Sequence, residues 1–512
     1  MSDLTSVVSK LAPYFSREKL EEIAASKNPF YTALAIADFA DVYHYLTTTS
    51  SNVYSDQSNQ LHSEIAHLLQ TEVTAYTKFT SVSDGADMTK DTYLRKYSIP
   101  ELLPAEMRAT SISMSSGSSG KAYFWPRGNS LELETTLIYE LMLRESFSIH
   151  TKKTLLINAY SMGVWVAGVF TATAALHMAQ RGSHITTVNT GINSDLVLET
   201  VKSIGNQFEQ IIIAGYPPFI KDIIEEGIRL GINWQEYSPK FIFGAEAIGE
   251  EWRDYLHNLV GSKDPYHTSV NTYGSADAAI LGHETPLSIL IKRLLKNHPD
   301  LWQTYGNQQD VATLVQYHPA VKHFTQEGDE ILLSCLGGLP LLNYNLHDRA
   351  RLISFEELEN AFAAKGVDLR QEAAQHGITV FTLPFIYLFG KSDQTVTLYG
   401  LNVYPQTIRE ALEQPKVFGN VTGRVQIATS YTESQDQYLE ITVEVREGIA
   451  LETLSPEGIA DQVTQYLVTH SSEYAALREK IGEKSNPFVV LVPYGSFSST
   501  SIKQAWVRHD HE

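Results

Sequence analysis

Apolar residues recur at three- and four-residue steps in REKLEEIAASK from Arg17 and in HSEIAHLLQTEVTAYTKF from His62, the period of one face of an α-helix. Residues 1–100 are therefore expected to form a helical leader. From about Lys152 the text changes to short β-branched or Leu/Ile runs, TLLIN, HITTVN, IIIAGY and KFIFGA, separated by helical stretches. That alternation predicts a parallel sheet covered by helices, and it places a large domain over residues 101–389. Past LFGKSDQTVTLYG, the alternating stretches LEITVEV and FVVLVPYG flank a helical pattern from Pro456 to Ile481, as in a small α+β domain over residues 390–512. The expected class is α/β, a large N-terminal domain with helix-covered sheets plus a small α+β C-terminal domain.

Between Lys153 and Arg181 there is no Asp, Glu, Lys or Arg, which hydropathy alone would read as a membrane span. Asn158, Tyr160, Ser161, Thr171, Thr173 and His177 interrupt the stretch, so a strand followed by a buried helix is expected instead. The N-terminus has no apolar run that would export the chain. With 43% hydrophobic and 19% charged residues, the 512-residue chain is too apolar for disorder. Its 59 acidic and 39 basic side chains give a net charge of −20, which excludes a nucleic-acid backbone as partner. A single cysteine, Cys335, excludes an internal disulfide and multi-cysteine metal sites and fits a reducing, cytoplasmic setting.

The one low-complexity patch ends in Ser115-Ser116-Gly117-Ser118-Ser119-Gly120-Lys121. Alternating glycines and hydroxyls let N–H and O–H groups converge on phosphate oxygens. By itself the patch reads better as a linker, since it lacks the ending and glycine spacing of a Walker loop. Downstream, however, stand FGAEAIGEEWRDYL from Phe243, NTYGSADAAILGHETP from Asn271, PLLNYNLHDRARL from Pro340, the LFGKSDQTVTLYGLNVYPQ hinge text from Leu388 and YGSFSSTSIKQAWV from Tyr494.

In that order these motifs resemble the adenylate-forming superfamily, most closely its phenylacetate–coenzyme A ligase branch, over roughly Ser111 to Val507. The resemblance implies an ATP- and magnesium-dependent reaction. A carboxylate attacks the α-phosphorus of ATP, pyrophosphate leaves, and a second nucleophile, coenzyme A by resemblance, displaces AMP. The Ser115–Lys121 loop would hold the phosphates, and Asp277 stands where the family has its magnesium-associated glutamate. Asp348 matches the acceptor of the ribose hydroxyls. Gly244, Ala245 and Glu246 match the lining of the adenine pocket, with Tyr273 of the Tyr273–Gly274 pair stacked on the base. Lys503 resembles the lysine that bridges carboxylate and α-phosphate, Lys391 replaces the family's hinge arginine and is a second catalytic candidate, and Asp393 is the hinge. Tyr160, Trp165 and Phe243 are candidates for the acyl pocket, which suits an aromatic or otherwise apolar acid.

Each assignment has a plainer rival. Asp277 could be a surface acid, Asp348 a salt-bridge partner of Arg349 or Arg351, and Phe243 and Tyr273 core aromatics. Departures also stand out: Ala276 and Asp277 in the tyrosine–glycine motif, Asn343 for an arginine, Leu346 for a threonine, and Ile502 for a glycine. The alternatives left open are transfer of the adenylate to an amine or a carrier protein and a non-catalytic nucleotide- or acyl-binding descendant, with a homodimer as an allowed assembly. More remote is a serine hydrolase built on Ser161 in NAYSMG, with His283 or His347 as its base. Neither nucleic acid nor membrane is an expected partner.

Overall fold

A computed structural model describes residues 17–25, 37–82, 87–105, 107–115, 123–305, 313–391 and 396–497. They divide into two compact units, the larger drawn from residues up to Gly390 and the smaller chiefly from Lys391 onward.

In the larger unit β1 (Ser111–Ser115) and β2 (Tyr123–Arg127) pair antiparallel as a separate ribbon. The main sheet begins with β3 (Thr154–Asn158), β4 (Ile185–Asn189), β5 (Gln210–Gly215), β6 (Lys240–Gly244) and β7 (Ser269–Ser275), all parallel to their neighbours. β3 and β5 are buried along their whole length, which is why they read as unbroken apolar runs. The expected parallel sheet stops at β7. β8 (Ala279–His283) returns antiparallel after the turn at 276–278. β9 (Thr313–Gln316), β10 (His323–Glu327), β11 (Glu330–Cys335), β12 (Leu341–Ile353) and β13 (Phe385–Lys391) complete an 11-stranded mixed sheet, ordered β10-β11-β12-β13-β9-β8-β7-β6-β5-β3-β4. An antiparallel return needs only a few residues and no crossover helix, so β9 to β12 follow one another without helices, whereas the helices Pro286–Lys296 and Pro299–Tyr305 stand between β8 and β9, and Phe355–Ala363 and Leu369–Gln375 between β12 and β13.

The helix Asn129–Phe147 is buried almost all round and yet carries Glu132, Glu134 and Glu140. Each is matched: Arg127 donates to Glu132 at 2.8 Å, Lys322 to Glu134, and Arg181 and Ser183 to Glu140 at 2.5 and 2.9 Å. Buried carboxylates persist only with such partners. The apolar stretch after Lys153 is β3 followed by the helix Val166–Gln180, whose 15 residues span about 22 Å, short of a bilayer core. Among the described residues no helix is long and apolar enough to cross a membrane.

The leader contributes the helices Arg17–Ala25, Phe39–Thr48, Ser51–Glu72 and Thr74–Val82. It then runs along β12, with Met88 bridged to Tyr344 and the Asn345 N–H donating to the Met88 carbonyl at 2.9 Å.

In the smaller unit β14 (Val396–Leu398) and β15 (Leu401–Val403) form a hairpin. β16 (Val421–Tyr431), β17 (Gln437–Val445) and β18 (Phe488–Val492) form a three-stranded sheet, antiparallel then parallel. The single helix expected from Pro456 to Ile481 is two, Pro456–His470 and Ser472–Ile481. Ser471 leaves the helical region, with φ −128° and ψ 106°, and its hydroxyl accepts from the Tyr474 N–H as the N-cap of the second helix.

Candidate active site

The C-terminal ends of β6 and β7 lie side by side, Gly244 opposite Thr272, where open α/β sheets bind ligands. A Cβ on Gly244 would sit 2.9 Å from both the Tyr160 hydroxyl and Thr272 Oγ1. Those hydroxyls are themselves fixed, donating to the carbonyls of Ile242 at 3.3 Å and Phe243 at 2.8 Å. The next residue, Ala245, is exposed and left-handed at φ +70°, a conformation that costs a non-glycine residue and recurs at ligand clamps. Glu246 turns back into the protein, and its carbonyl accepts from Asn271 Nδ2 at 2.8 Å.

Behind this loop lies a buried charge network centred on Arg253 and Glu284, which stand inside the motif stretches from Phe243 and Asn271 without a role assigned to them there. The Arg253 side chain is fully buried and donates to both oxygens of Glu284 at 2.7 Å and to Ser269 Oγ at 2.8 Å. Glu284 in turn accepts from the Asn271 N–H at 2.8 Å. Lys292 Nζ donates to the Ile248 carbonyl at 3.1 Å and pairs with Glu250 at 3.2 Å. The network thus holds Asn271 and the 245–249 loop from within. His257, bonded to Ser269 Oγ at 2.9 Å, is kept neutral: burial first, then the Arg253 and Arg293 charges, lower its pKa to about 3.

Tyr273 and Asp348 meet. The Tyr273 hydroxyl donates to Asp348 Oδ2 at 2.5 Å, although β13, β9 and β8 separate their strands in the sheet. The long β12 reaches across with two left-handed residues, Asn343 at φ +46° and His347 at φ +58°. Asn345 Oδ1 braces the second by accepting from the His347 N–H at 2.6 Å. Burial, the Asp348 charge and hydrogen bond, and the Asp277 charge raise the Tyr273 pKa well above its ordinary value, so this phenol acts as a donor. The arginines named as rival partners point elsewhere, Arg349 to Asp329 at 2.7 Å and Arg351 to the Thr304 carbonyl.

Asp277 occupies the β7–β8 turn beyond Gly274. Its Oδ1 is buried with no hydrogen-bond partner and lies 3.6 Å from Lys90 Nζ. Burial and then this carboxylate's charge push the Tyr123 phenol up to about 12. Lys90 comes from the leader, outside every motif; a lone lysine in DMTKDT carries no pattern that would single it out.

Phe243 is fully buried against Phe241 and Trp252, and Tyr160 is buried beside Gly244. Trp165 is half-buried at the start of the helix Val166–Gln180 and bridges to Met114 of β1. Ser161 sits in the loop 159–165, which has no sharp strand-to-helix elbow. The histidines considered for it are engaged otherwise, His283 Nδ1 with the Glu284 carbonyl at 2.9 Å and His347 facing Glu330 at 4.0 Å. Ser115 ends β1 and Lys391 ends β13; their side chains, together with Ser116, Gly117, Ser118, Ser119, Gly120, Lys121, Asp393 and Lys503, lie outside the described residues. In the smaller unit Glu444 Oε1 accepts from the N–H groups of Gly495 at 3.0 Å and Phe497 at 3.3 Å. That buried carboxylate fixes the segment from which the chain continues toward Lys503.

The α/β architecture is shared with solved structures. It resembles 2-hydroxyisobutyryl-CoA ligase in complex with 2-HIB-AMP and CoA, with a TM-score of 0.57 and 14% identity over 91% of this chain and 91% of that one. The same ligase in its postadenylation state overlaps at 0.48 with 14% identity, covering 91% and 92%. The amide bond synthetase McbA from Marinactinospora thermotolerans overlaps at 0.41 with 13% identity, covering 77% and 69%. Only the first of these overlaps is close enough to bear on the fold. No protein-family model and no curated protein sequence matches the chain.

Proposed function

We propose that this protein activates a carboxylic acid with ATP, forming an acyl-adenylate and pyrophosphate, and then passes the acyl group to the thiol of coenzyme A with release of AMP. The observation that carries the reading is the Tyr273–Asp348 pair beside Gly244, with Asp277 close by, at the strand ends of an adenylate-forming fold. Asp348 has two acceptor oxygens for the ribose hydroxyls, and Gly244, Ala245 and Glu246 offer backbone close to the base. Asp277 suits magnesium: its buried Oδ1 has no hydrogen-bond partner, and a hard carboxylate oxygen plus substrate phosphates is this ion's usual ligand set. When bound, the ion would neutralise charge developing on the phosphates.

Ser115 to Lys121 would cradle the β- and γ-phosphates, and Lys503 would bridge the attacking carboxylate and the α-phosphate with Lys391 in support. Asp393 serves as the hinge residue. Tyr160, Trp165 and the neighbouring aromatics favour an aromatic or otherwise apolar acid. Coenzyme A as acceptor is supported by the fold neighbour that carries it with an acyl-adenylate, and a cytoplasmic setting by the single, buried Cys335.

The test separates the half-reactions. Lys503→Ala is expected to lose acid-dependent pyrophosphate–ATP exchange while still converting a supplied acyl-adenylate to the thioester. Equal loss of both steps, or of neither, would contradict the assignment.

A further inference from the structure

We propose that Lys90 is a further phosphate-binding residue and that it shares Asp277 with the metal. Without a divalent cation its ammonium neutralises Asp277; when the cation takes that carboxylate, the ammonium turns to the terminal phosphates of the nucleotide. The inference rests on the reading of the site as an ATP site.

The Asp277 side chain is only 10% exposed, and its Oδ1 has no hydrogen bond. An ionised carboxylate so buried is costly unless something completes its shell. The only cation paired with it among the described residues is Lys90, and at 3.6 Å that pair is beyond hydrogen-bond length. A fixed structural ion pair would close to bonding distance, as Arg253 and Glu284 do at 2.7 Å; this one is a loose neutralising contact.

Lys90 is built to move at its tip and not at its root. Its segment is tied to β12, the strand of Asp348, through the Met88–Tyr344 bridge and the Asn345 N–H. It is also closed on itself by Thr92, whose hydroxyl donates to the Asp87 carbonyl at 2.5 Å. The side chain keeps 26% of its surface exposed, and its ammonium lies 5.2 Å from the centre of the Trp125 ring on β2. A cation–π contact at that distance is weak and easily exchanged, and a lysine carries three rotatable donors on a flexible stem. An anchored root, a mobile ammonium and an under-satisfied carboxylate together form a charge that can change partner.

The test is calorimetric titration of the full chain with ATP and with AMP, in EDTA and in magnesium. It compares the parent with Lys90→Met, Lys90→Arg and Asp277→Asn, each checked for its melting temperature. A merely structural ion pair makes Lys90→Met and Asp277→Asn equivalent, because both break it. The proposal makes them opposite. Lys90→Met should weaken ATP about tenfold or more in EDTA while AMP stays within about twofold, as for a lost charge-assisted bond to the distal phosphates. Asp277→Asn should hold or improve ATP binding in EDTA and lose the gain that magnesium gives the parent. Lys90→Arg should fall between, and decides the matter through ATP against AMP if Lys90→Met does not fold. ATP affinity unchanged in the Lys90 variants, parallel losses in Lys90→Met and Asp277→Asn, or equal weakening of AMP and ATP would overturn the proposal and leave the ATP reading intact. A parent that binds neither nucleotide would overturn both.

Discussion

The two acids of the candidate site are housed in opposite ways. Asp348 is aimed by left-handed backbone, braced by Asn345 and already bonded to Tyr273 at 2.5 Å. The neighbouring Gly244 loop is held from behind by the Arg253–Glu284 network. Asp277 has a buried oxygen with no hydrogen bond and one loosely placed cation. The first arrangement spends stability on a shape fixed before ligand arrives, which would lower the cost of binding the rigid nucleoside proposed for it. The second leaves charge to be satisfied by whatever brings its own ions. In the proposed site the preformed end would recognise the nucleoside and the under-satisfied end would respond to the ions that come with it.

Removing the support of the preformed end should have the largest effect. Arg253→Met takes away the guanidinium that binds both oxygens of the buried Glu284 and should cost about 3–5 kcal/mol of stability in urea denaturation. A loss below about 1 kcal/mol would mean that the network is not what holds the loop.

Acid should act on the same support. Burial first lowers the pKa of His257 to about 3 and that of His283 to about 4, below the roughly 6.5 of an unfolded histidine. The unfolded chain therefore takes up these protons first. Their contribution is full above about pH 6.5 and is lost as the pH falls toward the folded values, by about 1.4 kcal/mol per unit for each ring. Between pH 6.5 and 5 that amounts to about 2 kcal/mol per histidine, and stability flat over this range would show that the rings are not held neutral.

At the recognition surface, Asp348→Ala should weaken AMP and ATP alike by about 1.5–3 kcal/mol, as for a charged hydrogen-bond acceptor. This contrasts with the ATP-selective response expected at Lys90. The smallest effect belongs to Gly244→Ala. Its methyl would meet the Tyr160 hydroxyl at 2.9 Å and should cost about 1 kcal/mol of AMP affinity or stability, at the low end of overpacking. Tyr160→Phe should restore part of it in a double-mutant cycle, and additivity would show that the two side chains do not collide.

The same contrast decided what the sequence could reveal. TLLIN, IIIAGY and KFIFGA announced β3, β5 and β6 because strands covered on both faces must be apolar throughout. The residues from Phe243 to Glu246, Tyr273 and Asp348 stood in motifs whose order pointed to one fold class. The run from β9 to β12 lacked such a signal, since its short returns leave no helix between strands. Arg253 and Glu284 stood within motif stretches, but their pairing with each other and with Lys292 shows only once folding brings them together, and Lys90 lies in the leader, 187 positions before its partner by their numbers. Ser471 was readable in principle as a helix-capping serine, but the apolar periodicity on either side of it concealed the break.

The most direct test of carboxylate activation is pyrophosphate–ATP exchange by the full chain over a panel of aromatic and aliphatic acids, with magnesium present. The expected result is label entering ATP only when a suitable acid is supplied, and none in the presence of EDTA. No exchange with any acid, from a folded protein that also fails to bind AMP, would contradict the account.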